Sequence, residues 1–98
     1  MNIYALTNTN GRAVNNQFIR DDGNKKVFES YRTDIASVTK KNGETIVILT
    51  ESWLYSATTT KYCCRFLSQE ADFGNVNKVK VVKLIKDGKI SVTKKKNL

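Results

Sequence analysis

The chain of 98 residues contains no proline and no histidine, and its two cysteines, Cys63 and Cys64, are adjacent. Histidine is the usual general base and a common zinc ligand, so its absence excludes much acid–base chemistry and most zinc sites. Adjacent cysteines point in different directions on a regular element and are poor disulfide partners, which favours a reducing compartment. We therefore expect a protein that is not an enzyme and that carries no metal and no cofactor.

Long apolar segments are also missing from the chain. No run approaches the roughly 18 residues that a membrane-spanning helix requires. The first residues, MNIYALTNTNGR, have neither the basic start nor the apolar stretch of a secretory signal. A membrane is therefore not an expected partner.

Acidic residues are scarce, and the shortage is local. The chain has 17 Lys and Arg against nine Asp and Glu, which gives a formal net charge of +8. Residues 75–98 hold eight lysines and one acid, Asp87, and so carry +7 of this charge. The length suits a single domain over residues 1–98, with a basic C-terminal module at 75–98. The lysines of this module are Lys78, Lys80, Lys83, Lys86, Lys89, Lys94, Lys95 and Lys96.

The strongest local signal is the dipeptide Asn42-Gly43, which lies between two segments rich in β-branched residues. Asn and Gly tolerate the positive φ angles of a type I′ turn, the common connection of a two-residue hairpin. The predicted cross-strand pairs on one apolar face are Val38 with Val47 and Ala36 with Leu49. Ile46 and Ile48 fall on the other face, where either a second layer or a second copy of the chain would cover them. A homodimer through this hairpin is therefore a candidate assembly.

A helix is expected over residues 58–68, after the hairpin. Its apolar face is predicted to hold Tyr62, Cys63, Phe66 and Leu67, with Cys64 outside it. Small hydroxyl residues suit the start of a helix, because their oxygens accept the free backbone N–H groups of the first turn. The same N–H groups and a nearby lysine form a candidate anion site, with simple capping as the alternative. The residues of this candidate site are Ser56, Thr58, Thr59, Thr60 and Lys61.

Residues 75–87 fit two structures. As a strand, the segment changes register between Val81 and Val82, whereas a helix needs no such break and is favoured. The helix would place Val81, Val82, Leu84 and Ile85 on one arc and Lys80, Lys83 and Lys86 on the opposite one. The expected fold class is thus α+β, with a small antiparallel sheet packed against one or two C-terminal helices. A strand at 75–87 would instead make the protein mostly β.

Two groups of residues could contact a partner. Clustered lysines bind phosphates by releasing counterions, and they would equally suit an acidic protein. Aromatic rings can stack on bases, although the same rings could instead fill a small core. The candidate stacking residues are Tyr31, Trp53 and Tyr55.

Residues 28–67 contain the pattern F-x-S-Y, a hairpin, and then W-x-Y-S-x-T-T-x-K-Y-x-x-x-F-L. In this pattern the chain resembles a family of short uncharacterised proteins of phages and plasmids of Gram-positive bacteria. The resemblance implies a mobile-element origin and a location in the cytoplasm of the bacterial host. It implies no activity and no functional residues, and it favours the helix at 75–87.

Two classes of function fit these features. The first is a small non-enzymatic accessory protein that binds nucleic acid, or a host complex that handles nucleic acid, through the basic C-terminal surface. The second is a protein-directed inhibitor of a host defence system, of the anti-CRISPR or antirestriction type. The expected partner is accordingly nucleic acid or an acidic host protein.

Overall fold

A computed structural model describes all 98 residues of the chain. Six strands and two helices are present, with a short 3-10 helix at Glu51–Leu54. The strands are β1 (Asn2–Thr7), β2 (Ala13–Asp21), β3 (Lys25–Ser30), β4 (Thr33–Lys41), β5 (Glu44–Thr50) and β6 (Ile90–Thr93). The helices are α1 (Ala57–Glu70) and α2 (Lys78–Lys86). This composition confirms the predicted α+β class.

The six strands form one sheet whose spatial order follows the chain, β1 to β6. The first five strands make an antiparallel meander, and β6 pairs parallel to β5. A parallel neighbour needs a crossover connection, and the two helices supply it between β5 and β6. Both helices therefore lie on one face of the sheet, which we call the inner face; the opposite one is the outer face.

The predicted hairpin at Asn42-Gly43 is confirmed. Both residues have positive φ, 53° and 78°, as a type I′ turn requires. The pairs Val38 with Val47 and Ala36 with Leu49 occur in the predicted register. These four side chains are buried on the inner face.

The core lies between α1 and the inner face of the sheet. Phe28 of β3 and Phe66 of α1 are fully buried, and their rings stack with centroids 5.7 Å apart. Lys26 joins the same two elements at their far end, where its Nζ lies 2.8 Å from Glu70 Oε1. Stacking and ion pair together fix the position of α1 across the middle strands.

The segment 75–87 contains the favoured helix. Asn77 caps α2, since its side chain accepts the Lys80 N–H at 2.8 Å. The helix buries Val81 and Leu84, but Val82 is exposed and does not share the buried arc as predicted. A helix of nine residues docks by a narrow stripe, and this leaves Val82 on the solvent side.

The predicted position of Cys64 outside the apolar face of α1 is wrong, because Cys64 is buried. The segment before α2 folds against this side of α1. Ser68 Oγ accepts the Val76 N–H at 2.8 Å and donates to the Cys64 carbonyl at 2.8 Å.

Neither helix is long and apolar enough to cross a membrane.

An ionic cluster on the outer face ties β2, β3 and β4 together. Arg20 Nη1 lies 2.8 Å from both Glu29 Oε1 and Asp34 Oδ1, and Nη2 donates to Asp34 Oδ2 at 3.1 Å. The Leu98 N–H donates to the same Asp34 oxygen at 2.8 Å. Lys25 Nζ donates to the Leu98 backbone oxygen at 2.7 Å. Residues 94–98 therefore cross the outer face and are held there by side chains of the sheet.

Candidate functional site

The eight lysines of the basic C-terminal module form no ion pair. Seven of them are exposed. Lys80 is the exception, since it is half-buried and its Nζ donates to the backbone carbonyls of Phe73 and Asn75. Lys80 thus stabilises the loop before α2, while the other seven leave their charge to solvent.

The structure separates these lysines into groups rather than one patch. Lys83 and Lys86 share the solvent side of α2 with Val79 and Val82. The group Lys94–Lys96 follows the end of β6, where Thr93 pairs with Thr50. The basic residues consequently lie on both sides of β6, and an extended polyanion could contact both groups.

The hydroxyl groups at the start of α1 are used within the fold. Ser56 Oγ accepts the Thr59 N–H at 3.1 Å and lies 3.0 Å from Thr59 Oγ1. Thr60 Oγ1 donates to the Trp53 carbonyl at 2.8 Å. Only Thr58 and Lys61 of the candidate anion site remain exposed. Capping, the alternative interpretation of the sequence, accounts for Ser56 and Thr59, and Thr60 ties α1 to the 3-10 helix.

A polar cleft of about 860 Å³ lies between the β1–β2 turn, α1 and the loop before α2. Its lining includes Lys61, Arg65 and Lys78 and no acidic residue. Arg65 is held in place, because its Nε donates to the Thr7 carbonyl at 3.1 Å and its Nη2 donates to the Asn8 carbonyl at 3.0 Å. The cleft adds cations from the body of the protein to those of the C-terminal module.

The three candidate stacking aromatics have different environments. Trp53 is only 3% exposed and belongs to the core, so its ring is not available to a base. Tyr31 and Tyr55 are 65% and 85% exposed and line one cavity of about 530 Å³. We call this cavity the tyrosine pocket; its lining is Ser30, Tyr31, Thr33, Ile35, Ser52, Tyr55 and Thr59.

The turn that carries Tyr31 has an uncommon backbone. Tyr31 and Arg32 connect β3 to β4 with φ of 49° and 69°, although neither is glycine. Asn16 next to the turn has φ of 63°, and its carbonyl accepts the Tyr31 N–H at 2.8 Å. The left-handed conformation costs roughly 1–2 kcal/mol for a residue with a side chain. The turn therefore holds the tyrosine ring at the pocket against a local conformational cost.

This cost leads to a stability prediction for the turn. Arg32→Gly should raise the free energy of unfolding by about 0.5–1 kcal/mol, since glycine adopts this φ freely but loses more backbone entropy on folding. The melting temperature, measured by circular dichroism, should rise by roughly 3–6 °C. Arg32→Ala is the control, because alanine retains the strain and should bring no gain. Equal stabilisation by both variants would contradict the strain argument.

Two buried polar atoms next to this turn lack a hydrogen-bond partner. They are Ser30 Oγ, in the lining of the tyrosine pocket, and Gln17 Oε1 on the neighbouring strand. Gln17 and Ser30 pair across β2 and β3 on the inner face. An unsatisfied buried polar group costs about 1–3 kcal/mol. The sequence pattern did not predict that Gln17 and Ser30 are buried, although each lies two positions from a buried apolar residue on the same face.

The cysteines are not placed for nucleophilic chemistry. Both thiols are free and buried. Burial raises the pKa of Cys63, with a smaller contribution from the neighbouring Cys64, and burial also raises the pKa of Cys64. A raised pKa lowers the thiolate fraction at neutral pH, and thiolate is the reactive form. The described residues also include no group of three or more His, Cys, Asp or Glu that could hold a metal ion.

Fold and site together define a small α+β protein with unpaired surface lysines and a tyrosine-lined pocket at one end of its sheet. The two halves of the F-x-S-Y and W-x-Y-S-x-T-T pattern meet at this pocket, through Tyr31 and Tyr55. The chain belongs to a family of unknown function (DUF8033), whose model matches residues 1–83. No curated protein and no solved structure matches the chain. The expectation of an uncharacterised family is confirmed.

Proposed function

We propose that this protein is a non-enzymatic accessory protein of a phage or another mobile element, and that it binds nucleic acid in the host cytoplasm through its basic C-terminal surface. One observation carries the proposal: the eight lysines of residues 75–98 have no carboxylate partner, and seven are exposed. Unpaired cations at this density are available for phosphates. The mobile-element origin is supported by the sequence resemblance.

The expected binding mode is electrostatic and independent of sequence. Each lysine that neutralises a phosphate releases counterions, and the logarithm of the affinity falls with the logarithm of the salt concentration by about 0.7 per contact on single strands. The polar cleft with Lys61 and Lys78 could extend the contact surface toward the body of the protein. Sequence preference would have to come from another part of the molecule.

A salt titration with charge-reversal variants tests this proposal. The double variant Lys83→Glu/Lys86→Glu should weaken binding to a labelled single strand and lower the salt slope by about 1.4, because two contacts are lost. Fluorescence anisotropy across a range of salt concentrations measures both quantities. Lys80 is left unchanged because it stabilises the loop before α2.

The matched control is Arg12→Glu/Lys41→Glu, two exposed cations that form no ion pair. It changes the net charge by the same amount but lies outside the basic C-terminal module. An equal loss of affinity in both double variants would show that net charge alone matters and would reject the assigned surface. No binding of the wild type to DNA or RNA at low salt would reject the function itself.

An acidic protein partner is a second candidate, favoured by one feature of α2. Val79 is 78% exposed, and Val79 and Val82 lie on the same side as Lys83 and Lys86. Exposed apolar residues interleaved with cations suit a protein surface better than a phosphate chain. This arrangement fits an inhibitor of a host defence system. A pull-down from a Gram-positive host lysate, with nuclease and with Val79→Ser as the comparison, would detect such a partner.

A further inference from the structure

The tyrosine pocket has the features of a ligand site that the basic surface does not explain. Its volume of about 530 Å³ lies within the range of roughly 300–1,000 Å³ that small-molecule sites show. Ser30 is almost fully buried in its lining, and its Oγ has no hydrogen-bond partner. The Ser30 hydroxyl is itself enclosed, so a ligand would contact the exposed rings of Tyr31 and Tyr55.

The lining indicates which chemistry the ligand has. Two exposed tyrosine rings come from separate elements, the β3–β4 turn and the end of the 3-10 helix, and Ile35 adds apolar surface. Four hydroxyl residues complete the lining. Ser30 Oγ is enclosed and Thr59 Oγ1 contacts Ser56 Oγ, so Thr33 and Ser52 supply the hydroxyls that can donate or accept a hydrogen bond. No charged residue takes part. A flat, neutral, heteroaromatic group with donors and acceptors on its edge fits this combination.

Cations lie at the same end of the sheet as this pocket. The turn Tyr31–Arg32 leads into β4. The start of β4 lies beside the end of β5, where Thr50 Oγ1 donates to the Asp34 carbonyl at 2.6 Å. The end of β6 pairs with Thr50, and Lys94–Lys96 follow directly. The segment then returns to Asp34 through the Leu98 N–H. Lys94–Lys96 therefore lie at the same end of the sheet as the pocket, and the residues after them run across the outer face.

We propose that the tyrosine pocket binds a nucleobase, which stacks on Tyr31 and Tyr55. The base belongs to a single-stranded nucleic acid or to a free nucleotide. Where the ligand is a single-stranded nucleic acid, this inference rests on the proposed function. The lysines then bind the phosphates, and the pocket binds unpaired bases. Base stacking on aromatic side chains is tolerant of sequence, so the pocket discriminates strand state rather than base identity.

The test compares two strands that have the same phosphates but differ in their bases. One is oligothymidine of about 12 nucleotides, within the site sizes of small single-strand binders, and the other is an abasic strand of equal length. The wild type should bind the base-bearing strand at least about fivefold more tightly. Tyr55→Ala and Tyr31→Asn should remove this preference and leave the affinity for the abasic strand unchanged. Asparagine is chosen at position 31 because it tolerates the left-handed backbone.

The control variant is Leu54→Ala, an exposed neighbour of Tyr55 outside the pocket, and it should keep the preference. Ser30→Ala should also keep the preference, because the Ser30 hydroxyl is enclosed and does not face the ligand. Circular dichroism checks that each variant is folded. Equal affinity for the two strands, or a preference that survives both tyrosine variants, overturns the role of the pocket in strand binding.

Thymidine monophosphate separates the two sources of the base. Saturable binding of the mononucleotide, lost in Tyr55→Ala and monitored by nuclear magnetic resonance shifts of the pocket residues, identifies a free nucleotide as a ligand. Failure of both the strand preference and the mononucleotide overturns the inference. The abasic strand reports the lysines alone, so its salt-dependent binding keeps the proposed function standing even when the pocket inference fails.

Discussion

Phe66→Ala is expected to lower the free energy of unfolding by about 3–5 kcal/mol, which is a large part of the stability of a domain of this size. Phe66 is fully buried, and its ring stacks on Phe28 at 5.7 Å. Truncation removes apolar contacts and leaves a cavity between α1 and the sheet, which the surrounding strands cannot fill without shifting. Urea unfolding monitored by circular dichroism measures the change.

The comparison variant is Val79→Ala, which removes apolar atoms from an exposed position of α2. It should change the free energy of unfolding by no more than about 0.5 kcal/mol. A similar loss in both variants would show that the packing of α1 on the sheet does not dominate stability.

Asp34→Ala is expected to lower the free energy of unfolding by about 2 kcal/mol at neutral pH. Asp34 is buried and accepts hydrogen bonds from Arg20 and from the Leu98 N–H. The variant leaves the Arg20 guanidinium with Glu29 alone and removes one of the two hydrogen bonds that hold Leu98 on the outer face. The partial exposure of Arg20 keeps the expected loss below that of a fully buried pair.

The same residue predicts how stability depends on pH. Burial alone would raise the pKa of Asp34, but the hydrogen bonds from Arg20 and Leu98 and the nearby positive charges outweigh it and lower the pKa below its usual value. A group with a lowered folded pKa stabilises the fold above its unfolded pKa of about 3.9 and loses that contribution as the pH falls through the folded value. The wild type should therefore lose stability below about pH 4 more steeply than Asp34→Ala.

Unfolding curves at neutral pH and at about pH 3 measure this difference. The gap between the wild type and Asp34→Ala should shrink at the lower pH. Asp22→Ala, at an exposed turn residue, is the control and should leave the pH dependence of the wild type intact. A gap that stays constant over this range would mean that the carboxylate charge of Asp34 does not stabilise the fold.

Local patterns predicted the parts of the fold that local physics determines. The dipeptide Asn42-Gly43 permits a tight turn, and the alternation around it then sets the register of β4 against β5. Ser56 and the apolar spacing of Cys63, Phe66 and Leu67 likewise define α1 from within its own segment. In these cases the turn, the cap and the periodicity all favour the same structure.

Other elements depend on contacts that the sequence pattern does not contain. Most of β2 is polar, and Gln17 occupies an inner-face position, so its length of nine residues could not be predicted from alternation. Trp53 is buried because the 3-10 helix folds its ring into the core. Val82 is exposed because α2 docks by a narrow stripe. Tertiary packing overrides the local pattern in each case.

The candidate site also combines features that the sequence predicted with features that only the structure shows. Composition identified the lysines, but their separation on both sides of β6 depends on the parallel pairing of β6 with β5. The tyrosine pocket joins residues from the β3–β4 turn and the 3-10 helix, and the sequence pattern does not show that Tyr31 and Tyr55 lie together. The partnerless hydroxyl of Ser30 becomes visible only when every neighbour of the side chain is known.

The contacts of Leu98 have a consequence for the order in which the chain folds. The meander β1 to β5 joins strands that follow one another, so each pairing closes a short loop at small entropic cost. The bonds from Leu98 to Asp34 and from Lys25 to Leu98 close loops of 64 and 73 residues, and β6 can pair only after both helices have crossed the sheet. We expect the meander and α1 to form the folding nucleus, and the last basic segment to dock late. Substitutions at Asp34 that act through Leu98 should then speed unfolding more than they slow folding.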